Sequence, residues 1–324
     1  MNYEEFISCI RDYIAEAVGN DKTVTINKVL KNNDVELEAL TISSDETNVA
    51  PTIYLNSYYK EYENGREPGD IVSEIYQLYE SHRDKLEFNV DLFKNFDGIR
   101  GRVAYKLINK STNEKLLSQI PFVEILDLAI VFYCLVDNDF LGSATALIHN
   151  VHMDMWGLTV EELFEAAKKN TPVILPYELR DMNDVIKDIL ISDIENTIYE
   201  NDFRYDENCN FPSPEVVAEG LLKGVKEAED AVEMYVLTNK QKMYGASCIL
   251  YEHILYDFAN QKNKDIYILP SSVHEVILVP VAEDINRSEL SRMVQDVNQN
   301  ELEEGDVLSN RVYYYDRIRD EIQM

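Results

Sequence analysis

The run from Ile125 to Val136 is the longest apolar stretch in the chain, and it carries Asp127 near its start. A membrane helix needs about 20 apolar residues, so a run of roughly half that length with a carboxylate in it must be covered by protein instead. Its β-branched and aromatic residues predict a strand buried on both faces. Such a strand needs cover on each side. The expected fold is therefore α+β, with small mixed or antiparallel sheets covered by helices.

At 324 residues the chain exceeds the size at which one core stops growing. Two lobes are expected, an N-terminal one over 1–150 and a C-terminal one over 151–324, each with its own sheet. Phe6, Ile10, Tyr13, Ile14 and Ala17 follow helical spacing up to Gly19. Thr23 to Leu30 and Val35 to Ile42 predict a hairpin turned by Asn32-Asn33-Asp34, whose residues tolerate left-handed backbone. Thr52 to Tyr59 reads as a strand and Ile71 to Tyr79 as a helix. Val103 to Ile108 predicts a strand, and Ser143 to Ile148 a partner for the 125–136 run. Thr159 with Glu162 forms a capping box, opening a helix that is expected to end before Asn170-Thr171-Pro172.

Residues 193–233 hold 12 acidic and three basic side chains, and an acidic, linker-like excursion is expected near 200–214. Beyond it the pattern predicts a strand at 232–238, a helix at 245–260, strands at 265–269 and 275–280, a helix at 288–300 and a short strand at 312–315. Three successive tyrosines, Tyr313 to Tyr315, must point to both faces of that last strand, which places at least one outward or at an interface.

Charge narrows the partners. Thirty basic against 60 acidic residues give a formal net charge of −30. That field repels phosphate backbones and anionic membranes, so neither direct nucleic-acid binding nor membrane binding is expected. It favours solubility, a protein partner with a basic surface, or imitation of DNA. Four cysteines lie far apart with no metal-ligand spacing, which fits reduced thiols in a cytoplasmic bacterial protein. The N-terminus, Met1-Asn2-Tyr3-Glu4-Glu5, lacks the basic start of a signal peptide. No metal or other cofactor is expected, since no P-loop, dinucleotide fingerprint or EF-hand is present.

The candidate chemistry centres on Ser271, Ser272, His274 and Glu275, a polar insert between two strand-like runs. A serine nucleophile with His274 as base and Glu275 as orienter would make a hydrolase site. A turn in which Pro270 sets φ and the serines bond nearby backbone explains the same residues without chemistry, and no nucleophile-elbow glycines flank either serine. Arg102, Lys106 and Asn109, beside Arg100 and Lys110, form a second candidate that could hold a phosphate or carboxylate. In so acidic a chain these cations also have many internal partners. His149 and His152 lack the carboxylate of a metalloprotease helix and read as a surface pair.

Several short motifs carry a family likeness: Ile53-Tyr54-Leu55-Asn56, Lys106-Leu107-Ile108-Asn109, Leu126-Asp127-Leu128-Ala129-Ile130, Trp156-Gly157, Asn170-Thr171-Pro172, Leu237-Thr238-Asn239, Ile268 to Ile277 and Val307-Leu308-Ser309. Through them the chain resembles an uncharacterised domain-of-unknown-function family abundant in gut clostridia (Firmicutes). The likeness runs from about 50 to 317 and implies no activity. The leading expectation is a non-catalytic interaction protein with an acidic surface. A hydrolase at the 271–275 turn is the alternative, and a DNA mimic the second.

Overall fold

Phe6, Ile10, Ile14 and Val18 recur every four residues and form the buried stripe of helix α1 (Tyr3–Val18), which an Asn2/Glu5 capping box opens. The computed structural model describes residues 1–19, 21–44, 52–83, 93–135, 145–200, 212–226 and 232–324. Two units divide the chain, Met1–Asn170 and Thr171–Met324. The acidic excursion expected near 200–214 falls mostly on 201–211, outside the described residues, as does Cys209.

In the first unit, strands β1 (Lys22–Leu30), β2 (Glu36–Ser44) and β3 (Thr52–Tyr54) form an antiparallel sheet. The β1–β2 turn puts Asn33 and Asp34 at positive φ, as their short polar side chains allow. The strand expected to reach Tyr59 stops at Tyr54, and helix α2 (Leu55–Glu63) follows. Helical spacing lets Leu55 and Tyr58 bury together and brings Tyr59 and Tyr62 onto the Phe6 ring, each with centroids 5.3 Å away. Packing overrides the β preference of the tyrosines. Helix α3 (Pro68–Arg83) adds Ile71, Ile75 and Tyr79 to the same core.

A second sheet in this unit has β6 (Leu128–Leu135) at its centre, buried at every residue. Strand β4 (Val103–Asn109) pairs with one edge; β5 (Phe122–Ile125) and β7 (Thr145–Leu147) share the other. Of the run expected as one strand, Ile125 closes β5, Leu126 and Asp127 turn the chain, and Leu128–Leu135 is the strand buried on both faces; Val136 lies outside the described residues. Leu126 turns at φ 54°, and the Asp127 carbonyl accepts from the Lys110 N–H at 3.0 Å. Short helices α4 (Phe96–Ile99) and α5 (Glu114–Leu117) and helix α6 (Asn150–Trp156) border the sheet strands in sequence. Helix α7 (Val160–Ile174) carries the unit boundary and runs through Pro172 instead of ending before it. An interior proline costs about 3 kcal/mol. Complete burial of Thr171 and Leu175, and a Leu175 N–H to Thr171 carbonyl bond of 2.8 Å, offset that cost.

The second unit is built on a six-stranded antiparallel sheet. Its order is β13 (Glu321–Gln323), β12 (Tyr313–Asp316), β10 (Ile266–Leu269), β11 (Val276–Pro280), β9 (Tyr235–Asn239), β8 (Tyr177–Asp181). The two edge strands, β8 and β13, go beyond the sequence reading. Register sets Tyr313 beside Ile268, Ile268 beside Leu278, and Leu278 beside Tyr235, so all four share one face. Phe258 of α10 (Ile254–Lys262) packs on Tyr235 from that side, with ring centroids 4.9 Å apart. The helix expected over 245–260 is instead a 3₁₀ segment, Gly245–Leu250, followed by α10, because His253 takes φ 67° between them. Helix α11 (Arg287–Asn300) sets Leu290 and Val294 against Leu269, Val279 and Val312 on the opposite face. Helix α8 (Met182–Glu200) lies along β8 and β9, and α9 (Pro214–Lys226) packs on α8. Tyr313 and Tyr315 are buried, and Tyr314 is only half-exposed, its hydroxyl donating to Asp265 at 2.6 Å.

Candidate functional site

Strands β10 and β11 are joined by the turn that holds Ser271, Ser272, His274 and Glu275, and two other segments staple it. On one side, Leu308 N–H donates to the Ser271 carbonyl at 2.8 Å, Ser309 N–H to the Pro270 carbonyl at 2.9 Å, and Val273 N–H to the Asp306 carbonyl at 2.9 Å. On the other, the Thr238 hydroxyl donates to the His274 carbonyl at 2.7 Å, and Ala246 N–H to the Val273 carbonyl at 3.2 Å.

The side chains of the turn diverge. Ser272 is 2 % exposed, and its Oγ accepts the His274 backbone N–H at 3.0 Å. The His274 ring stacks on Tyr244, and its Nδ1 accepts the Tyr244 N–H at 3.4 Å. Its Nε2 lies 3.4 Å from Asp306 Oδ1. An acceptor at Nδ1 and a carboxylate beside Nε2 select the Nε2–H tautomer and use both nitrogens. Glu275 leaves the turn in another direction, into a neighbouring cleft.

Asn239 organises the opposing loop. Its Oδ1 accepts from Gln241 N–H at 3.1 Å and Met243 N–H at 3.2 Å, and its Nδ2 donates to the Met243 carbonyl at 2.7 Å. Lys242 and Tyr244 both sit at φ 53° in this loop, a conformation that side chains avoid unless surrounding bonds impose it.

The cleft beside Glu275 has a volume of about 360 Å³. Strand register pairs Glu178 with Thr238, Arg180 with Val236, and Val236 with Ile277, which puts these side chains on one face. Val236 and Ile277 line this face of the cleft, and Val185 and Ile189 of α8 line it from the helix. Arg180 is turned to α8, 2.6 Å from Asp188 Oδ2. That hydrogen-bonded pair raises the guanidinium's proton affinity and keeps it charged. Glu178, Lys242 and Glu275 also line the cleft, and among the described residues their side chains form no ion pair or hydrogen bond. Sequence reading reached Glu275 but not Glu178, Arg180 or Lys242. The polar alternation of Glu178 and Arg180 along β8 was the available signal.

The residues of the second candidate are engaged by local partners. Asn109 Oδ1 accepts from Ser111 N–H at 2.9 Å and Thr112 N–H at 3.3 Å, so it closes a turn. Arg102 and Lys106 are half-buried and neither is free of partners. Arg100 pairs with Asp97 at 3.0 Å and Lys110 with Glu124 at 2.7 Å. His152 is half-buried, its ring stacks on Trp156, and its Nδ1 accepts the His149 N–H at 3.0 Å. Burial, and then the neighbouring His149, push its pKa down. Among the described residues no three His, Cys, Asp or Glu side chains gather as a metal site. Among them, too, no helix is long and apolar enough to cross a membrane.

Helix-covered antiparallel sheets in both units define an α+β protein. The chain belongs to a family of unknown function, DUF5688, whose sequence model matches residues 3–317. The match reaches into the N-terminal helix and hairpin, beyond the segment where the motifs alone carried the likeness. Comparison with curated proteins and with solved structures found no match.

Proposed function

We propose that this protein is a non-catalytic binding protein whose acidic surface engages a partner with a basic surface. The observation that supports this most is the bonding of His274, whose two ring nitrogens already face Tyr244 N–H and Asp306. A general base needs a free lone pair within reach of the nucleophile's proton. Ser272 is buried and occupied by backbone, and Glu275 points away into the cleft, so the turn is built as a support. The net charge of −30 then sets the kind of partner: a basic one, held by interactions that salt screens.

The test is a tagged pull-down from a gut clostridial lysate at low and high salt, read by mass spectrometry, with a panel of chromogenic esters and peptides assayed alongside. A basic protein that is retained at low salt and released at high salt is the expected result. If that protein binds DNA and duplex DNA competes for it, the acidic surface acts as a DNA mimic. Turnover that vanishes in His274→Ala would sink the non-catalytic reading and restore the hydrolase of Ser271, Ser272, His274 and Glu275.

A further inference from the structure

We infer that the cleft between α8 and the sheet is a binding site for a free α-amino acid with an apolar side chain. The inference goes beyond the acidic-surface reading and does not depend on it. Its starting point is the charge left over inside the cleft. Arg180 bonds to Asp188 and also lies in the field of Glu178; besides that pair the cleft holds two carboxylates, Glu178 and Glu275, and one ammonium, Lys242. None of these three has an ion-pair or hydrogen-bond partner for its side chain among the described residues.

Lys242 is also held in place. Its backbone sits at φ 53°, its N–H donates to the Asn239 carbonyl at 2.9 Å, and the Asn239 side chain clamps the residues on either side of it. A fixed backbone lowers the cost of ordering the ammonium on a ligand. The backbone that carries each carboxylate is held as well: Glu178 by the β8–β9 ladder and Glu275 by the stapled turn.

Between these charges lie Val236 and Ile277, faced by Val185 and Ile189, of which Ile189 is 54 % exposed. Ligand pockets span roughly 300–1,000 Å³, so about 360 Å³ selects a small molecule. The occupant must carry a cation for Glu178 and Glu275, an anion for Lys242 and an apolar body for the valines and isoleucines. Either end of a peptide brings only one of those charges and leaves the other cleft group unmatched. A free amino acid brings both on a single carbon.

Calorimetric titration of the full chain with L-leucine, L-valine and L-phenylalanine tests this, with methyl NMR to locate the site. At least one of them saturates and shifts the methyl signals of Val185, Ile189, Val236 and Ile277. Leucinamide, which lacks the carboxylate, 4-methylpentanoate, which lacks the ammonium, and glycine, which lacks the apolar body, each bind about tenfold more weakly or worse than leucine. In Lys242→Met, an exposed position whose folding is checked by circular dichroism, leucine falls to the level of leucinamide while leucinamide itself is unchanged. In Glu275→Gln, leucine and leucinamide both weaken and 4-methylpentanoate does not. Absence of saturable binding by all three amino acids overturns the inference. So does equal binding of leucine and its analogues, or a Lys242→Met protein that still tells leucine from leucinamide.

Discussion

The Thr238 hydroxyl donates to the carbonyl of His274 at 2.7 Å, and this bond closes the gap between the end of β9 and the turn before β11. Gly245 lies against it. A Cβ at Gly245 would fall inside the contact distance of both Thr238 Oγ1 and the His274 carbonyl oxygen, and 2.8 Å from the Asn239 nitrogen. The close approach requires glycine and leaves the neighbours no room to move, since two of the three atoms belong to backbone.

Gly245→Ala is therefore expected to destabilise the protein by about 3 kcal/mol through overpacking. Thr238→Val, which removes the bond while keeping the shape, should cost about 1–2 kcal/mol, and Thr238→Ser much less. Urea unfolding of the three variants checks the order. A Gly245→Ala protein as stable as wild type would contradict the packing described for this turn.

Asp34 makes a second long-range tie. Its two carboxylate oxygens accept from Lys115 N–H at 2.9 Å and Leu116 N–H at 3.0 Å, so a residue of the β1–β2 turn caps α5 from 81 and 82 positions away. Asp34→Ala removes the cap and should cost about 1 kcal/mol, while Asp34→Asn should lose less. Hydrogen exchange at the Lys115 and Leu116 amides reads the effect locally.

Asp265 accepts from Tyr314 hydroxyl at 2.6 Å and from Arg317 N–H at 2.9 Å. The tyrosine hydrogen bond first, and the backbone one second, hold its carboxyl below the ordinary range. Its stabilisation is thus complete above the unfolded pKa near 3.8 and is lost as pH falls through the depressed folded value. Tyr314 is pushed up to about 12, chiefly by the same bond. Its contribution is present below the unfolded value of 10.0 and disappears as pH rises through the folded one. Tyr314→Phe should lower stability by about 1.5 kcal/mol at neutral pH and flatten both limbs of the stability–pH curve. Unchanged limbs in that variant would assign the pH dependence elsewhere.

Burial pushes the Cys134 thiol up to about 11 and the Cys248 thiol up to about 12. The thiolate is the reactive form, so both should resist a thiol reagent at pH 8 in the native protein and react on unfolding in urea. Peptide mapping by mass spectrometry distinguishes them from Cys9, which is only half-buried.

Much of the architecture is legible because it follows from residues a few positions apart. The four-residue spacing of Phe6, Ile10, Ile14 and Val18, the Asn33-Asp34 turn and the Thr159/Glu162 cap each act through near neighbours. Errors came where distant packing decided the outcome. Tyr58 and Tyr59 read as the end of a strand, but a helix there buries Tyr58 and sets Tyr59 on the Phe6 ring. Pro172 read as a stop, but burial of Thr171 and Leu175 carried the helix past it.

The candidate site divides along the same line. Composition and pattern alone determine that this chain is acidic, folds as α+β and places a polar turn between two buried strands. Register decides the rest. Glu178, Val236 and Ile277 come from strands at widely separated positions, and only antiparallel pairing sets them on one face. The Tyr244 N–H, which donates to Nδ1, and the Asp306 carboxylate beside Nε2 likewise orient the His274 ring and select its tautomer. Those partners lie about 30 residues to either side, and no local spacing rule connects them.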